Sequence, residues 1–211
     1  MNTPPTSMNG LFTIGHSNLD LADFLAVLVR HGVQTLCDVR SRPASFRFPQ
    51  FNREPLEALL QPANIHYQFL GDSLGGRPAD PRAYQEDGLV DYAARRKAPD
   101  FSAGVDRALE FSEIGNIVLM CAEEDPLLCH RFLMICPALI ERGIVPVHIR
   151  KGGALESQRD AEDRLLALHD LTAFDSGSLF ASERSLAVED AIRRQSKEYA
   201  FRTSPEALES F

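Results

Sequence analysis

Two stretches of this 211-residue chain concentrate side chains able to do chemistry. The first is MCAEEDPLLCHR, residues 120–131. Glu123 follows an apolar run, where a carboxylate in a partly dry cleft can act as general acid/base or as a nucleophile. Its bland alternative is to cap or solvate a turn. Cys121 stands at the same exit, ahead of a helix start at Asp125-Pro126, and that position can lower a thiol pKa. Glu123, Glu124 and Asp125 raise it again by like-charge repulsion. The block also lacks the glycine-rich cysteine-to-arginine loop of thiol phosphatases, so Cys121 reads more readily as a packed small residue than as a nucleophile. In a helix starting at Asp125, Cys129, His130 and Arg131 point about 100° apart and cannot all enter one pocket. His130 and Arg131 are the candidate substrate contacts, with Cys129 packed toward Leu133 and Cys136.

The second stretch is basic and aromatic. Arg40, Arg42, Arg47 and Arg53 are interleaved with Phe46, Phe48 and Phe51. Strand alternation turns Asp38 and Arg40 to one side. They form either a structural ion pair or a site in which the Arg40 fork takes a carboxylate or phosphate and Asp38 or His16 handles protons beside Glu123. Arg42 and Arg47 assist there or are loop charges. Three further residues or groups belong with these. His16, in Gly15-His16-Ser17, is a proton carrier near neutral pH if it faces a site, with Ser17 either beside it or capping a helix. Gly75 and Gly76 can turn their N–H groups toward an anion, and Arg77 adds charge; a plain turn before Pro78 is the alternative.

Cys121, Cys129, His130 and His16 have the right types for a metal. The gap between the two cysteines is not the usual short zinc pair, and no second close pair exists. No metal and no cofactor are expected.

These groups need elements to hold them. Leu11–Ile14, Thr35–Val39, His66–Leu70, Asn116–Met120 and Val145–Ile149 read as short strands. Helical spacing runs from Asp20 to Gly32, from Asn52 through Leu60, over about 100–113, from Asp125 to Arg142 and near 156–169. Strand alternating with helix predicts a three-layer α/β/α fold around a wound, mainly parallel, Rossmann-like sheet of about five strands. Parallel strands put their C-terminal ends on one edge, where such folds bind ligands. His16, Asp38 to Arg40, the 73–77 turn, Cys121 to Glu123 and Arg150 each follow a different strand. Residues 1–10 read as a disordered lead and 11–170 as a single domain with a polar helical insertion near 80–99. Residues 171–211 read as an acidic, weakly packed tail with one helix around 183–200.

Composition narrows the functional classes. A net charge of −8 opposes an extended nucleic-acid or anionic-membrane surface. No apolar run approaches a membrane span. Four cysteines without an export signal point to reduced thiols and a cytoplasmic protein. The expectation is an enzyme of hydrolase or transferase type acting on a nucleotide or other phosphate-bearing small molecule, through carboxylate acid/base or glycosidic chemistry. The rival is a non-catalytic module that senses a ligand or associates with nucleic acid through residues 40–53. A homodimer is left open.

TIGHS at 13–17, DVRSRP at 38–43, PQFN at 49–52, LGGRP at 74–78 and MCAEEDPLLCHR at 120–131 resemble the bacterial and archaeal domain of unknown function 488 family. Gly143 to Ile149 fits the same pattern, so the resemblance spans about residues 11–155. It implies an α/β domain with a polar cluster at the strand edge, and no settled activity.

Overall fold

The computed structural model describes residues 10–171 and 181–204, the side chains of 181 and 182 excepted. Most of the expected disordered lead therefore lies outside the described residues, as do 172–180 and 205–211 of the tail.

The chain runs β1 (Leu11–Gly15), α1 (Leu21–Arg30), β2 (Thr35–Asp38), α2 (Arg53–Leu60), β3 (His66–Phe69), α3 (Gly71–Leu74), α4 (Tyr92–Arg96), α5 (Pro99–Ile114), β4 (Ile117–Cys121), α6 (Cys136–Glu141), β5 (Val147–Ile149), β6 (Leu155–Ser157), α7 (Gln158–Leu168) and α8 (Ala181–Tyr199). The strands form one sheet in the order β3-β2-β4-β1-β5-β6. All neighbours are parallel except β5 and β6. The fold is thus α/β with a mostly parallel sheet of six strands. β6 was not expected: three residues with only Glu156 half-buried carry too little pattern to register as a strand. It forms because the turn at Lys151–Gly153, with Gly152 at φ 74°, reverses the chain onto β5.

Alternation sorts the strand side chains onto two faces. Leu36, Val118 and Met120 join Phe24, Leu28, Phe51 and Leu56 beneath α1 and α2. Cys37, Ile117, Leu119 and Cys121 join Phe101, Val105, Leu139 and Leu165 on the other face, beneath α5, α6 and α7. Period two therefore delivers Cys121 to the α5/α6 face and Asp38, in phase with Leu36, to the opposite one.

Two expectations about the chain's later parts change. The segment near 80–99 is less helical than its polarity suggested. A 3₁₀ turn at Pro81–Ala83 and a bridge between Tyr84 and Val90 precede the five residues of α4. Ala83, Leu89, Val90 and Tyr92 are buried. The helix expected in the tail exists as α8, yet it is well packed, with Ala187, Ala191, Gln195 and Ala200 buried against the α5/α6 face. Gln195 donates to the Leu127 carbonyl, and the Val90 N–H donates to that of Phe201. Small alanines on one helix face permit this close approach, and a hydropathy pattern undervalues them. No helix among the described residues is long and apolar enough to cross a membrane.

Candidate functional site

The C-terminal ends of β2, β4 and β1, adjacent in the sheet, open into one cleft of about 820 Å³. Its wall includes His16, Arg40, Arg42, Gly76, Arg77, Cys121, Glu123 and His130. Ser17, Asp38, Gly75 and Arg131 do not line it. The supporting roles of these four are clear from their contacts.

Asp38 is fully buried behind Arg40. It accepts from Arg40 Nε at 2.9 Å, from Nη2 at 2.6 Å, from the Arg40 backbone N–H at 3.1 Å and from the Tyr67 hydroxyl at 2.8 Å. Arg40 Nη2 also donates to the Phe51 carbonyl, and Nη1 reaches His16 Nε2 at 3.3 Å. A guanidinium has five N–H donors, so Arg40 keeps one for a ligand. The pair is first of all structural.

His16 stacks on Phe51 with ring centroids 4.3 Å apart, and its Nδ1 lies 2.9 Å from the Ser17 carbonyl. Nδ1 therefore carries the proton, and Nε2 accepts from Arg40. Burial, together with the neighbouring Arg40 charge, lowers the His16 pKa from 6.5 to about 4 despite the Ser17 carbonyl. At neutral pH His16 is a fixed neutral acceptor, which replaces the proton carrier expected from its position. Ser17, at φ 46°, serves through its backbone, donating to the Ala122 carbonyl.

The 121–131 loop departs most from expectation. Asp125 caps a 3₁₀ turn over Pro126–Leu128, with its side chain accepting from the Leu127 N–H. The chain then extends at Cys129 (φ −135°, ψ 141°), and helix begins only after it, first as a π-turn over Arg131–Ile135 and then as α6. The 100° phase argument fails because Cys129 is not helical. Its sulfur turns inward to the cleft, 3.7 Å from His130 Nδ1, while Cys121 Sγ lies 3.6 Å from the same nitrogen. His130 Nε2 donates to the Val39 carbonyl at 2.9 Å. The Cys121 thiol donates to Glu123 Oε2 at 3.1 Å. Ligand atoms of Cys121, Cys129 and His130 all lie within 4.8 Å of one another, a compact set of three that the spacing in sequence did not foreshadow; His16 is not among them.

The local charges also differ from a simple acidic run. Glu124 pairs with Arg150 at 2.9 Å and accepts from the Lys151 N–H; Asp125 pairs with Arg164 at 2.8 Å. Two of the three acids expected to oppose a thiolate are thereby tied to β5 and α7. Glu123 alone faces the sulfurs. As a whole residue it is exposed on the loop, but its carboxyl is turned into the cleft; burial there and the Cys129 charge raise its pKa. The hydrogen bond to Cys129, with burial, pushes the Cys121 thiol well up. For Cys129 burial works upward too. It is outweighed by the Cys121 hydrogen bond and the Arg131 and His130 charges, which bring this thiol well below its ordinary value. Cys129 is the residue the sequence reading set aside.

Arg131 is fully buried and donates to the carbonyls of Glu123 and Glu124, the latter at 2.7 Å, so it is the clamp that shapes the loop. Gly15 makes room for it: a Cβ there would sit 1.6 Å from the Glu123 carbonyl oxygen. At Gly76 a Cβ would meet the His130 ring at 2.9 Å. The glycine pair thus allows close packing. Neither residue has a positive φ, and the Gly75 N–H is spent on the Gly71 carbonyl.

The rim is different in kind. Arg42, Arg47 and Arg77 have no acidic partner among the described residues; Arg47 lies over Phe48 and Arg77 over Phe201. Ser41, Tyr92, Tyr199 and Phe201 also contribute to the wall. No local motif marks the last two, which arrive through the packing of α8.

No curated protein matches the chain. The profile of the family described as Domain of unknown function DUF488 covers residues 20–135, including Arg40, Arg42, Gly76, Arg77, Cys121, Glu123, Cys129 and His130 and leaving out His16, Tyr199 and Phe201. That stretch is more than half of the sequence, and on it the chain belongs to the DUF488 family.

Proposed function

We propose that the protein is an enzyme acting on an anionic small molecule, of nucleotide or other phosphate-bearing type, with Glu123 as the proton-carrying or attacking carboxylate at the floor of the cleft. The observation that carries this reading is the set of three rim arginines, Arg42, Arg47 and Arg77, which have no carboxylate partner among the described residues in a chain of net charge −8. Forked guanidinium donors suit phosphate and carboxylate oxygens. Phe46, fully exposed on the same cleft, is the ring available to stack on an aromatic ligand, with Phe48 and Phe201 already under Arg47 and Arg77. The cleft volume also falls in the range of small-molecule sites, about 300–1,000 Å³.

The test is a thermal-unfolding screen with nucleotides and phosphorylated metabolites. A ligand of the folded state at 100 times its Kd adds about 2.7 kcal/mol. Arg42→Gln with Arg77→Gln should abolish the shift, and Glu123→Gln should keep the shift and lose turnover. Binding with no turnover in the native protein supports the sensing module instead. Full turnover in Glu123→Gln beside an inert, folded Cys129→Ser moves the chemistry to sulfur. If no anion stabilises the protein, the reading is wrong.

A further inference from the structure

We infer that Cys121, Cys129 and His130 form a binding site for one thiophilic divalent cation, with zinc the best fit, open on its fourth side to the cleft and to Glu123. The inference goes beyond the proposed function and stands without it, because metal binding can be measured with no substrate.

Donor type comes first. Two sulfurs and an imidazole select zinc-class ions over magnesium or calcium, which prefer oxygen. Distance comes second. Zinc–sulfur and zinc–nitrogen bonds of about 2.3 and 2.0 Å at tetrahedral angles place S and N about 3.5 Å apart. The two S···N separations are 3.6 and 3.7 Å. Two of the three ligand separations thus match a tetrahedral ion, and all three donor atoms lie within 4.8 Å of one another.

Orientation is the independent support. Metal-bound histidines commonly donate their other ring N–H to a carbonyl or carboxylate, which sets the ring and the coordinating nitrogen. His130 does this through Nε2 to the Val39 carbonyl at 2.9 Å, aiming Nδ1 at both sulfurs. All three residues are buried, yet all three contribute to the cleft wall. Three protein ligands with an open fourth position are the arrangement of reactive rather than purely structural zinc. Glu123 Oε2, 3.1 Å from Cys121 Sγ, is the nearby oxygen able to take that position or to bond a water there. Arg131 fixes the loop from behind through backbone carbonyls, leaving the donor atoms unencumbered.

The experiment uses the full chain, reduced and stripped with a chelator, titrated anaerobically with Co(II) and then Zn(II). One equivalent of Co(II) should produce a thiolate-to-metal charge-transfer band and tetrahedral ligand-field bands, both erased by Zn(II). Cys129→Ser and His130→Gln should each weaken binding by more than the roughly 10–100-fold that outer-shell changes cost. Cys136→Ala, a buried cysteine outside the set, should leave the affinity unchanged. If the ligand variants do not fold, alkylation mapping of the native chain decides: zinc should protect Cys121 and Cys129 and leave the protection of Cys37 and Cys136 unchanged. Absence of a charge-transfer band, its survival in both ligand variants, or zinc-independent labelling of Cys121 and Cys129 overturns the inference.

Discussion

The protonation of His16 offers a quantitative check on the geometry of the cleft. Its ring is buried, stacked on Phe51, and accepts from Arg40 through Nε2, so charging it would set two cations against each other in a dry place. The folded pKa of about 4 against 6.5 for a free histidine fixes the sign. Above pH 6.5 both folded and unfolded chains leave the ring neutral, and it contributes no pH dependence. Between pH 6.5 and about 4 the unfolded chain takes up a proton that the folded chain refuses, so stability falls as pH falls. Below about 4 both states are charged and the loss stops, having reached about 3 kcal/mol. Going from about pH 7.5 to about pH 5.5 should therefore cost the native protein about 1.4 kcal/mol through this one ring. His16→Gln removes the titration while retaining an acceptor for Arg40. Its stability gap to the native protein, from urea unfolding at both pH values, should narrow by that amount on acidification. NMR titration of the His16 ring should place its midpoint near 4. A gap that stays constant, with a midpoint at or above 6.5, would return His16 to the role of proton carrier and refute the contact with Arg40.

Two further substitutions test how the cleft is held. Gly15→Ala drives a methyl group into the Glu123 carbonyl and should cost about 3 kcal/mol or more, because the loop is clamped by Arg131 and cannot yield freely; urea unfolding no worse than native would show that the loop can move aside. Asp38→Asn leaves the Arg40 guanidinium without its buried counter-charge and should cost about 3–5 kcal/mol, read by the same method. A near-neutral result there would mean that the Arg40 guanidinium is hydrated from the cleft when its partner is lost.

The charges of the molecule divide by position. Along the loop after β4, Glu124 and Asp125 are held by Arg150 and Arg164, charges drawn from β5's end and α7. Around the cleft, Asp38 holds Arg40 from behind while Arg42, Arg47 and Arg77 have no carboxylate partner among the described residues. Surface pairs of the first sort are worth little individually. Their consequence here is electrostatic: they remove two negative charges from the view of the sulfurs.

Local pattern was enough for the fold class and for much of the site. Short runs alternating with helical spacing marked five of the six strands; in β1, β2 and β4 the run is dictated by burial on both sheet faces, a property the residues carry individually, while the edge strand β3 is exposed to half-buried. The same logic put His16, Arg40, Cys121 and Glu123 at strand ends, and a parallel sheet brings strand ends together whatever the loops do. What sequence could not supply was conformation at single residues and contacts across long separations. Cys129 joined the site only because one extended residue interrupts the expected helix, an outcome that depends on how residues 126–131 pack against β4 and α8. The burial of Arg131 under two carbonyls, the neutral state of His16 and the neutralisation of Glu124 and Asp125 all depend on partners up to 40 residues away. Tyr199 and Phe201 reach the cleft wall from the far end of α8 by the same route. Side-chain type and periodicity are local; proximity, desolvation and charge pairing are properties of the folded chain, and they decided which of the reactive residues face one another.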